Sequence, residues 1–436
     1  MRPSSVTLQE MLDAREARAM TQFEMLRDAS PGDCLVCLTM NIAGEVKRTP
    51  MVRLLFDRGV SMLEQAGFCI RDSRVKDSGT GCEAFWLLKE DAARVKARLQ
   101  EAEDAFPAAR LFDFDVLLPD GTKLSRTVSR RCLLCDAPAA ECARSRRHGL
   151  NAVKEKTQAL LQGFCAETLA EAACDSLLRE LYTTPKPGLV DRRNCGAHRD
   201  MDVPMFERSV ESLRPYFRDA AGMGMRGCGM PALRARGVEA EAAMFAATGG
   251  VNTHKGMIYS MGLLLAGMGR ALAEGDRAEE FLPYASGLAR FDAEERLAQA
   301  GDHPVTNGGG VYRRYGARGA QGEAAAGFPH AVYCAERLRQ YREAGFAEAE
   351  VLTLCDSIAK LEDTNLLHRG GPEGLAYAQE AAAEIAELPP AERTEALFRL
   401  DDEFIRRNLS PGGSADMLSL ACLLERWREL SAGLFL

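Results

Sequence analysis

Two aspartates separated by one residue stand in the run Arg110-Leu111-Phe112-Asp113-Phe114-Asp115-Val116. Alternate side chains of a strand share a face. Phe112, Phe114 and Val116 therefore point one way and both carboxylates the other, about 7 Å apart at the α-carbons. A pair so placed can hold Mg²⁺ against a phosphate chain, where the metal neutralises both the attacked phosphate and a pyrophosphate leaving group. A solvated strand face with an apolar inner side has the same pattern, and the two residues alone do not decide.

A second cluster is Cys132, Cys135, Cys142 and His148. These are the ligand types of a structural Zn²⁺ site, but the step from Cys135 to Cys142 is shorter than in the common finger patterns. Free thiols in a compact turn are the preferred reading. Structural Zn²⁺ is the alternative, with no open position for catalysis.

Further on, unusual polar residues gather in loops. Thr183-Thr184-Pro185-Lys186-Pro187-Gly188-Leu189-Val190-Asp191 is stiffened by its prolines and runs into Arg192, Arg193, His198, Asp200 and Asp202. Gly249-Gly250-Val251-Asn252-Thr253-His254-Lys255-Gly256 is a glycine turn ahead of a helix start, where free backbone N–H groups and the positive end of the helix dipole favour anions. Glu323 precedes Gly327-Phe328-Pro329, Asp363 and Asn365 precede Arg369-Gly370-Gly371, and Asp416 follows Ser414, which suits a helix cap. Singly, each of the later carboxylates reads as a cap or a surface charge.

The elements that must position these groups change type along the chain. Apolar periodicity predicts a helix over 8–26, strands over 34–40, 85–88 and 111–118, a charged helix over 91–102, and a hairpin partner for the last strand over 124–128. That is a mixed α/β pattern. Beyond about 150 strands are scarce and Ala-rich helices dominate, at 205–220, 238–248, 255–273, 331–344, 347–361, 375–388 and 415–430. The expectation is a multidomain chain: an N-terminal α/β domain over 1–150, a helical linker over 151–170, and an all-α helical bundle over 171–436.

With 436 residues there is length for more than one core. A net charge of −8 disfavours a general nucleic-acid binder, which needs clustered Lys and Arg. The most apolar stretch, Met257 to Met268, is short, Gly-broken and flanked by Lys255 and Arg270, so no membrane span is expected. The N-terminus lacks a signal-type apolar core, and the 14 cysteines are scattered as buried thiols would be, so a cytoplasmic protein is expected.

Asn41-Ile42-Ala43-Gly44-Glu45-Val46-Lys47, the aspartate strand, Ser125-Arg126, Arg131-Cys132-Leu133-Leu134-Cys135 and Cys142-Ala143-Arg144-Ser145-Arg146-Arg147-His148 occur in that order. Together they resemble the phosphoribosyl-dephospho-CoA transferases that load the acyl carrier (gamma) subunit of citrate lyase, over roughly 8–150. The resemblance implies a nucleotidyltransferase-type domain. In it a carrier Ser hydroxyl attacks the phosphate next to the ribose of a triphosphoribosyl donor, Asp113 and Asp115 hold Mg²⁺, and pyrophosphate departs. Lys47, Arg126 and Arg144 to Arg147 are candidates for phosphate or carrier contacts on charge grounds.

From about 170 to 436 the Pro-Lys-Pro-Gly-Leu-Val-Asp and Gly-Val-Asn-Thr-His-Lys-Gly blocks and the later carboxylate blocks resemble the triphosphoribosyl-dephospho-CoA synthases. Gln321 stands where that family suggests an Arg, and Arg318 is the nearest replacement. The resemblance implies that ATP and 3′-dephospho-CoA are joined with release of adenine, a glycosyl transfer through an oxocarbenium-like state. Asp200, Asp202, Glu323 and Asp363 are then the candidate carboxylates and His198 the proton donor or acceptor. Lys186, Asp191, Arg192, Asn252, His254, Lys255 and Asn365 are candidates for holding substrate, and Mg²⁺ is expected with ATP. Rival readings are the same chemistry serving malonate decarboxylase, an N-glycosidic hydrolase, and a non-catalytic carrier-docking domain.

Overall fold

The computed structural model describes residues 5–126, 129–275, 277–298 and 307–435. The chain divides into two compact units, one of Met1–Cys165, Leu272–Asp276 and Gly433–Leu436, the other of Ala166–Ala271 and Arg277–Ala432. The chain is mostly helical, with one small antiparallel sheet.

The first unit runs α1 (Leu8–Arg27), β1 (Cys34–Met40), α2 (Pro50–Glu64), β2 (Ile70–Ser78), β3 (Gly81–Leu88), α3 (Ala92–Asp104), β4 (Phe112–Leu117) and α4 (Ala139–Ser145). Its four strands are antiparallel in the order β2-β3-β1-β4. β1 is apolar at successive positions, and it takes a central place where both faces are covered. Met25 of α1 packs with Leu35, Cys37, Phe85, Leu87 and Leu117 on one side of the sheet. Each such side chain contributes about 1.5–3 kcal/mol by leaving water. On β4 the alternation holds, with Phe112, Phe114 and Val116 buried and Asp113 and Asp115 partly exposed on the opposite face.

The expected hairpin partner of β4 does not form. Lys123 makes a single bridge to Leu117 and the Leu124 N–H reaches the Val116 carbonyl at 2.8 Å. The Arg126 side chain then turns to Glu103 at 2.7 Å, which draws the segment off the sheet edge. Residues 127 and 128 of that expectation lie outside the described residues. In this unit β2, α4, and α2 with its Thr49 cap and Pro50 at the first turn lay outside the expectations.

α5 (Leu150–Tyr182) is one continuous helix over the stretch expected as a linker, and the division between units falls within it. Then follow α6 (Val203–Met225), α7 (Met230–Ala247), α8 (Lys255–Glu274), α9 (Phe281–Ala298), α10 (Asn307–Tyr315), α11 (Gly319–Ala325), α12 (Pro329–Glu343), α13 (Ala349–Lys360), α14 (Thr364–Glu387), α15 (Pro390–Arg406) and α16 (Gly412–Ser431). No strand occurs beyond β4 among the described residues. α14 is broken at Gly371, whose φ of 63° and following Pro372 separate a short first segment from the part that periodicity predicts. α8 spans the apolar stretch around Met257 to Met268. By length and composition this 20-residue helix is long and apolar enough to cross a membrane, although 78% of its most apolar window is buried within the fold. Those buried positions suit a core helix.

Candidate active sites

In the first unit Asp113 and Asp115 each face one cation. Arg130 lies 3.4 Å from Asp113 and Lys123 lies 2.5 Å from Asp115. Both carboxylates stay reachable from solvent. A pair of this kind suits Mg²⁺ shared with phosphate oxygens, because that ion is usually bound by one or two carboxylates plus phosphates and water.

Beside the strand, α3 supplies a carboxylate that sequence reasoning missed. Glu103 is 3% exposed and accepts the Phe114 N–H at 2.9 Å. It pairs with Arg126 at 2.7 Å and more closely with Arg130, which also donates to the Phe112 carbonyl at 2.7 Å. Glu103 thus fixes two guanidinium groups next to the aspartates. Arg126 and Arg130 line a cavity of about 1130 Å³ whose other cations are Arg110, Arg131 and Arg146. Five arginines against Glu103 and Asp104 give the cavity a net positive lining, a charge that suits a polyanion. Lys47 lies elsewhere: it donates to the Ile42 carbonyl at 2.6 Å and borders a smaller cleft with Arg15 and Glu45.

Cys132, Cys135, Cys142 and His148 converge at the edge of the arginine cavity, with their ligand atoms all within 4.8 Å of one another. None of the 14 cysteines is in a disulfide.

The second unit brings three helix N-termini together. Asp363 caps α14, accepting the Asn365 and Leu366 N–H groups at 2.8 and 3.3 Å on one oxygen. Its other oxygen accepts the Ser414 N–H and hydroxyl at 2.8 and 3.0 Å, which ties the start of α16 to the start of α14. Asn365 lies against Gly412, where a methyl group would meet its amide nitrogen at 2.7 Å. Asp416, in the first turn of α16, faces the start of α8, for a methyl on Gly256 would lie 3.0 Å from its carboxylate. Asn252 caps α8 by accepting the Lys255 N–H at 3.2 Å.

Charge is unbalanced in this place. Burial raises the Asp416 carboxyl well above the usual carboxylate range, and the charges of Glu180 and Asp363 raise it further. Burial also raises Asp363, against the hydrogen bonds it accepts. Lys186 is 2% exposed and pairs with buried Glu180 at 2.6 Å, so its ammonium is committed to a carboxylate. His254 is buried and shares a 2.7 Å hydrogen bond with Ser209. Burial, helped by Lys186, lowers its pKa to about 3 and keeps the ring neutral.

The remaining sequence candidates lie as follows. His198 contacts the Ser410 hydroxyl at 2.9 Å and Arg369 at 3.3 Å, and burial, then Arg369, lowers its pKa against Asp200. Asp191 organises its own loop, accepting the Lys186, Arg193 and Asn194 N–H groups at 2.8, 2.7 and 3.1 Å. Asp202 is spent on the cap of α6, accepting the Met205 N–H at 2.8 Å. Arg192 stacks over Tyr182 at 4.3 Å, and Lys255 pairs with Glu241 at 2.5 Å. Glu323 accepts the His330 and Ala331 N–H groups at 2.7 and 3.0 Å at the start of α12, and burial raises its pKa.

Glu180, Arg369, Ser410 and Asp401 escaped sequence reasoning, and Asp416 was seen only as an isolated charge. Asp401 is fully buried, accepts the Gly188 N–H at 2.9 Å and pairs with Arg193, so it fastens the Pro-Lys-Pro-Gly loop. A signal for Asp416 was present: a carboxylate one turn into a helix that opens Gly-Gly-Ser is placed where negative charge is stabilised.

A chain with an arginine-lined cavity in one unit and a carboxylate cluster at helix N-termini in the other is equipped to handle phosphorylated substrates twice; it is a transferase of two parts. Residues 6–164 match the family described as apo-citrate lyase phosphoribosyl-dephospho-CoA transferase, and residues 166–433 the family described as ATP:dephospho-CoA triphosphoribosyl transferase. "Protein CitXG" of Haemophilus influenzae is 33% identical over 98% of this chain and 97% of its own length. The protein of the same name from Leuconostoc mesenteroides is 29% identical over 97% of each. A 2-(5''-triphosphoribosyl)-3'-dephosphocoenzyme-A synthase of Pectobacterium atrosepticum is 40% identical over 58% of this chain and 86% of that one. The chain belongs to the CitXG family, in which these two transferases are fused.

Proposed function

We propose that the second unit joins ATP to 3′-dephospho-CoA, and that the first unit transfers the product to the acyl carrier subunit of citrate lyase. In the first reaction the 2′-hydroxyl of the CoA ribose attacks the anomeric carbon of the ATP ribose, and adenine leaves. In the second a carrier Ser hydroxyl attacks the phosphate next to the ribose, and pyrophosphate leaves. The observation that carries the reading is the meeting of α8, α14 and α16 at their N-termini around Asp416. The positive ends of the three helix dipoles suit the triphosphate. Asp416, whose burial favours its protonated form, would give its proton to departing adenine. Asp363 holds two of the three helix starts in place, and His198 with Arg369 offers a further polar contact to substrate.

In the first unit the five arginines would bind the triphosphoribosyl chain. Mg²⁺ held by Asp113 and Asp115 would supply charge neutralisation to the leaving pyrophosphate. This assigns an α/β nucleotidyltransferase-type domain to about 1–150 and the synthase domain to the helical remainder after 170. The free thiols suit a reducing cytoplasm.

Incubating the whole chain with ATP, Mg²⁺, 3′-dephospho-CoA and apo-carrier should release adenine and pyrophosphate and add the group to a Ser. Adenine release without dephospho-CoA would identify a hydrolase instead. Modification of the malonate decarboxylase carrier in place of the citrate lyase carrier would move the chain to that assembly.

A further inference from the structure

We propose that Cys132, Cys135, Cys142 and His148 hold a structural Zn²⁺ that fastens one wall of the arginine cavity. The four ligand atoms lie within 4.8 Å of one another, with Cys135 and Cys142 sulfurs 3.5 Å apart and His148 Nε2 3.3 Å from the Cys135 sulfur. A tetrahedral zinc site with ordinary Zn–S and Zn–N bonds has sulfur–sulfur edges of about 3.8 Å and sulfur–nitrogen edges of about 3.6 Å. The four groups therefore stand close to the corners such an ion requires.

The backbone around them is built to present these corners. The Cys132 N–H donates to the Ala137 carbonyl at 2.8 Å and the Ala139 N–H to the Arg130 carbonyl at 2.8 Å, closing a tight loop with a bridge between Arg131 and Pro138. Inside it the Leu134 N–H points at the Cys132 sulfur at 3.4 Å, a contact that a thiolate accepts better than a thiol. α4 turns Cys142 inward, and Arg146, in the left-handed region at φ 47°, reverses the chain so that His148 returns to the cluster.

Beyond its backbone hydrogen bonds, the Arg130–Glu103 pair and the bonds from Arg110 to the Arg131 and Cys132 carbonyls, little holds the segment from 129 to 148 together. Cys142 is the one buried residue in it, and its leucines are only half-buried. Twenty residues without an apolar core need a staple, and a metal is one of the few available. Three thiolates, an imidazole and Zn²⁺ sum to a charge of −1, beside the positive charges of Arg144, Arg146 and Arg147 in the same segment. From this segment Arg130, Arg131 and Arg146 enter the cavity wall, together with Cys132, Cys142 and His148. Loss of the ion would loosen Arg131 and Arg146 and leave Arg130 held only by Glu103 and the Phe112 carbonyl, so the carrier-loading reaction should need zinc and the adenine-releasing reaction should not. This last consequence rests on the proposed function, whereas the metal itself does not.

Zinc content of the purified whole chain should be close to one ion per chain, with X-ray absorption giving three sulfurs and one nitrogen. Cys142→Ala should remove the ion, while His148→Cys, which replaces one zinc ligand with another, should retain it. A mercurial thiol reagent added to the unmodified chain should release the same single equivalent, which keeps the test open if Cys142→Ala fails to fold. Zinc below about 0.2 per chain after expression with added zinc would overturn the proposal, using the stoichiometry expected of a closed structural site. So would a Cys135–Cys142 disulfide found by mass spectrometry, or full zinc retained in a folded Cys135→Ala, Cys142→Ala double variant. One zinc per chain without pyrophosphate release from the triphosphoribosyl donor with any apo-carrier would leave the metal site standing and refute the functional reading alone.

Discussion

Glu103→Gln tests whether one buried carboxylate holds the phosphate-binding arginines in place. The substitution conserves volume and keeps an oxygen for the Phe114 N–H, but it removes the charge that faces Arg126 and Arg130. Breaking a buried pair by deleting one partner costs about 3–5 kcal/mol. The arginines are 19% and 24% exposed, so water recovers part of that, and a loss of roughly 2–3 kcal/mol is expected. For a unit of this size that corresponds to a fall in melting temperature of roughly 5–10 °C. The chain has two tryptophans, Trp86 in β3 and Trp427 in α16, so Trp427→Phe leaves Trp86 as a fluorescent reporter of the first unit. In that background Glu103→Gln should lower the Trp86 transition and slow pyrophosphate release, with adenine release unchanged. An unaltered melting temperature with unaltered pyrophosphate release would show that Glu103 does not organise the arginines.

Asp113→Asn and Asp115→Asn should each reduce pyrophosphate release about 100-fold, the equivalent of roughly 3 kcal/mol in the barrier, and leave adenine release intact. Asp363→Asn would turn an amide toward the Ser414 donors that the carboxylate now accepts. It should destabilise the second unit by roughly 3 kcal/mol in urea unfolding and abolish adenine release. His254 carries a pH dependence: its folded pKa of about 3 lies below the ordinary 6.5, so below pH 6.5 the unfolded chain takes up a proton that the folded chain refuses. Stability is complete above pH 6.5 and falls as the pH drops, by about 2 kcal/mol at pH 5. Helical circular dichroism in urea should show that slope, and His254→Gln should flatten it.

How far the sequence carried depended on whether a residue's role was local. Alternation placed β4, a continuous apolar run placed β1, and an apolar face placed α6; α1 was placed as well, although its Leu8, Leu12, Met20 and Phe23 are exposed and only Thr21 and Met25 are buried. β2 carries Arg71, Asp72, Arg74, Lys76 and Asp77 and has no apolar face to read; as an edge strand it is protected by that charge. What was legible was placement: Asp113 and Asp115 share the β4 face that alternation predicts, Cys132, Cys135, Cys142 and His148 lie together, and Asn252 lies at the start of α8. The partners were not. Glu103 and Glu180 look like ordinary helix-surface acids, and only the tertiary fold buries them beside cations. The same packing commits Lys186 and Lys255 to carboxylates, which their charge alone could not reveal.

The meeting of three helix starts in the second unit has a consequence for mutational tolerance. A grip formed by main-chain amides has few side chains that can be deleted. Removing the ammonium of Lys255, which is already engaged by Glu241, should change little. The sensitive positions are those that must stay empty: a single extra carbon at Gly256, Gly412 or Gly413 would press on Asp416, Asn365 or Asp363. A saturation library of this region should therefore lose function most sharply where the native residue contributes no side chain at all.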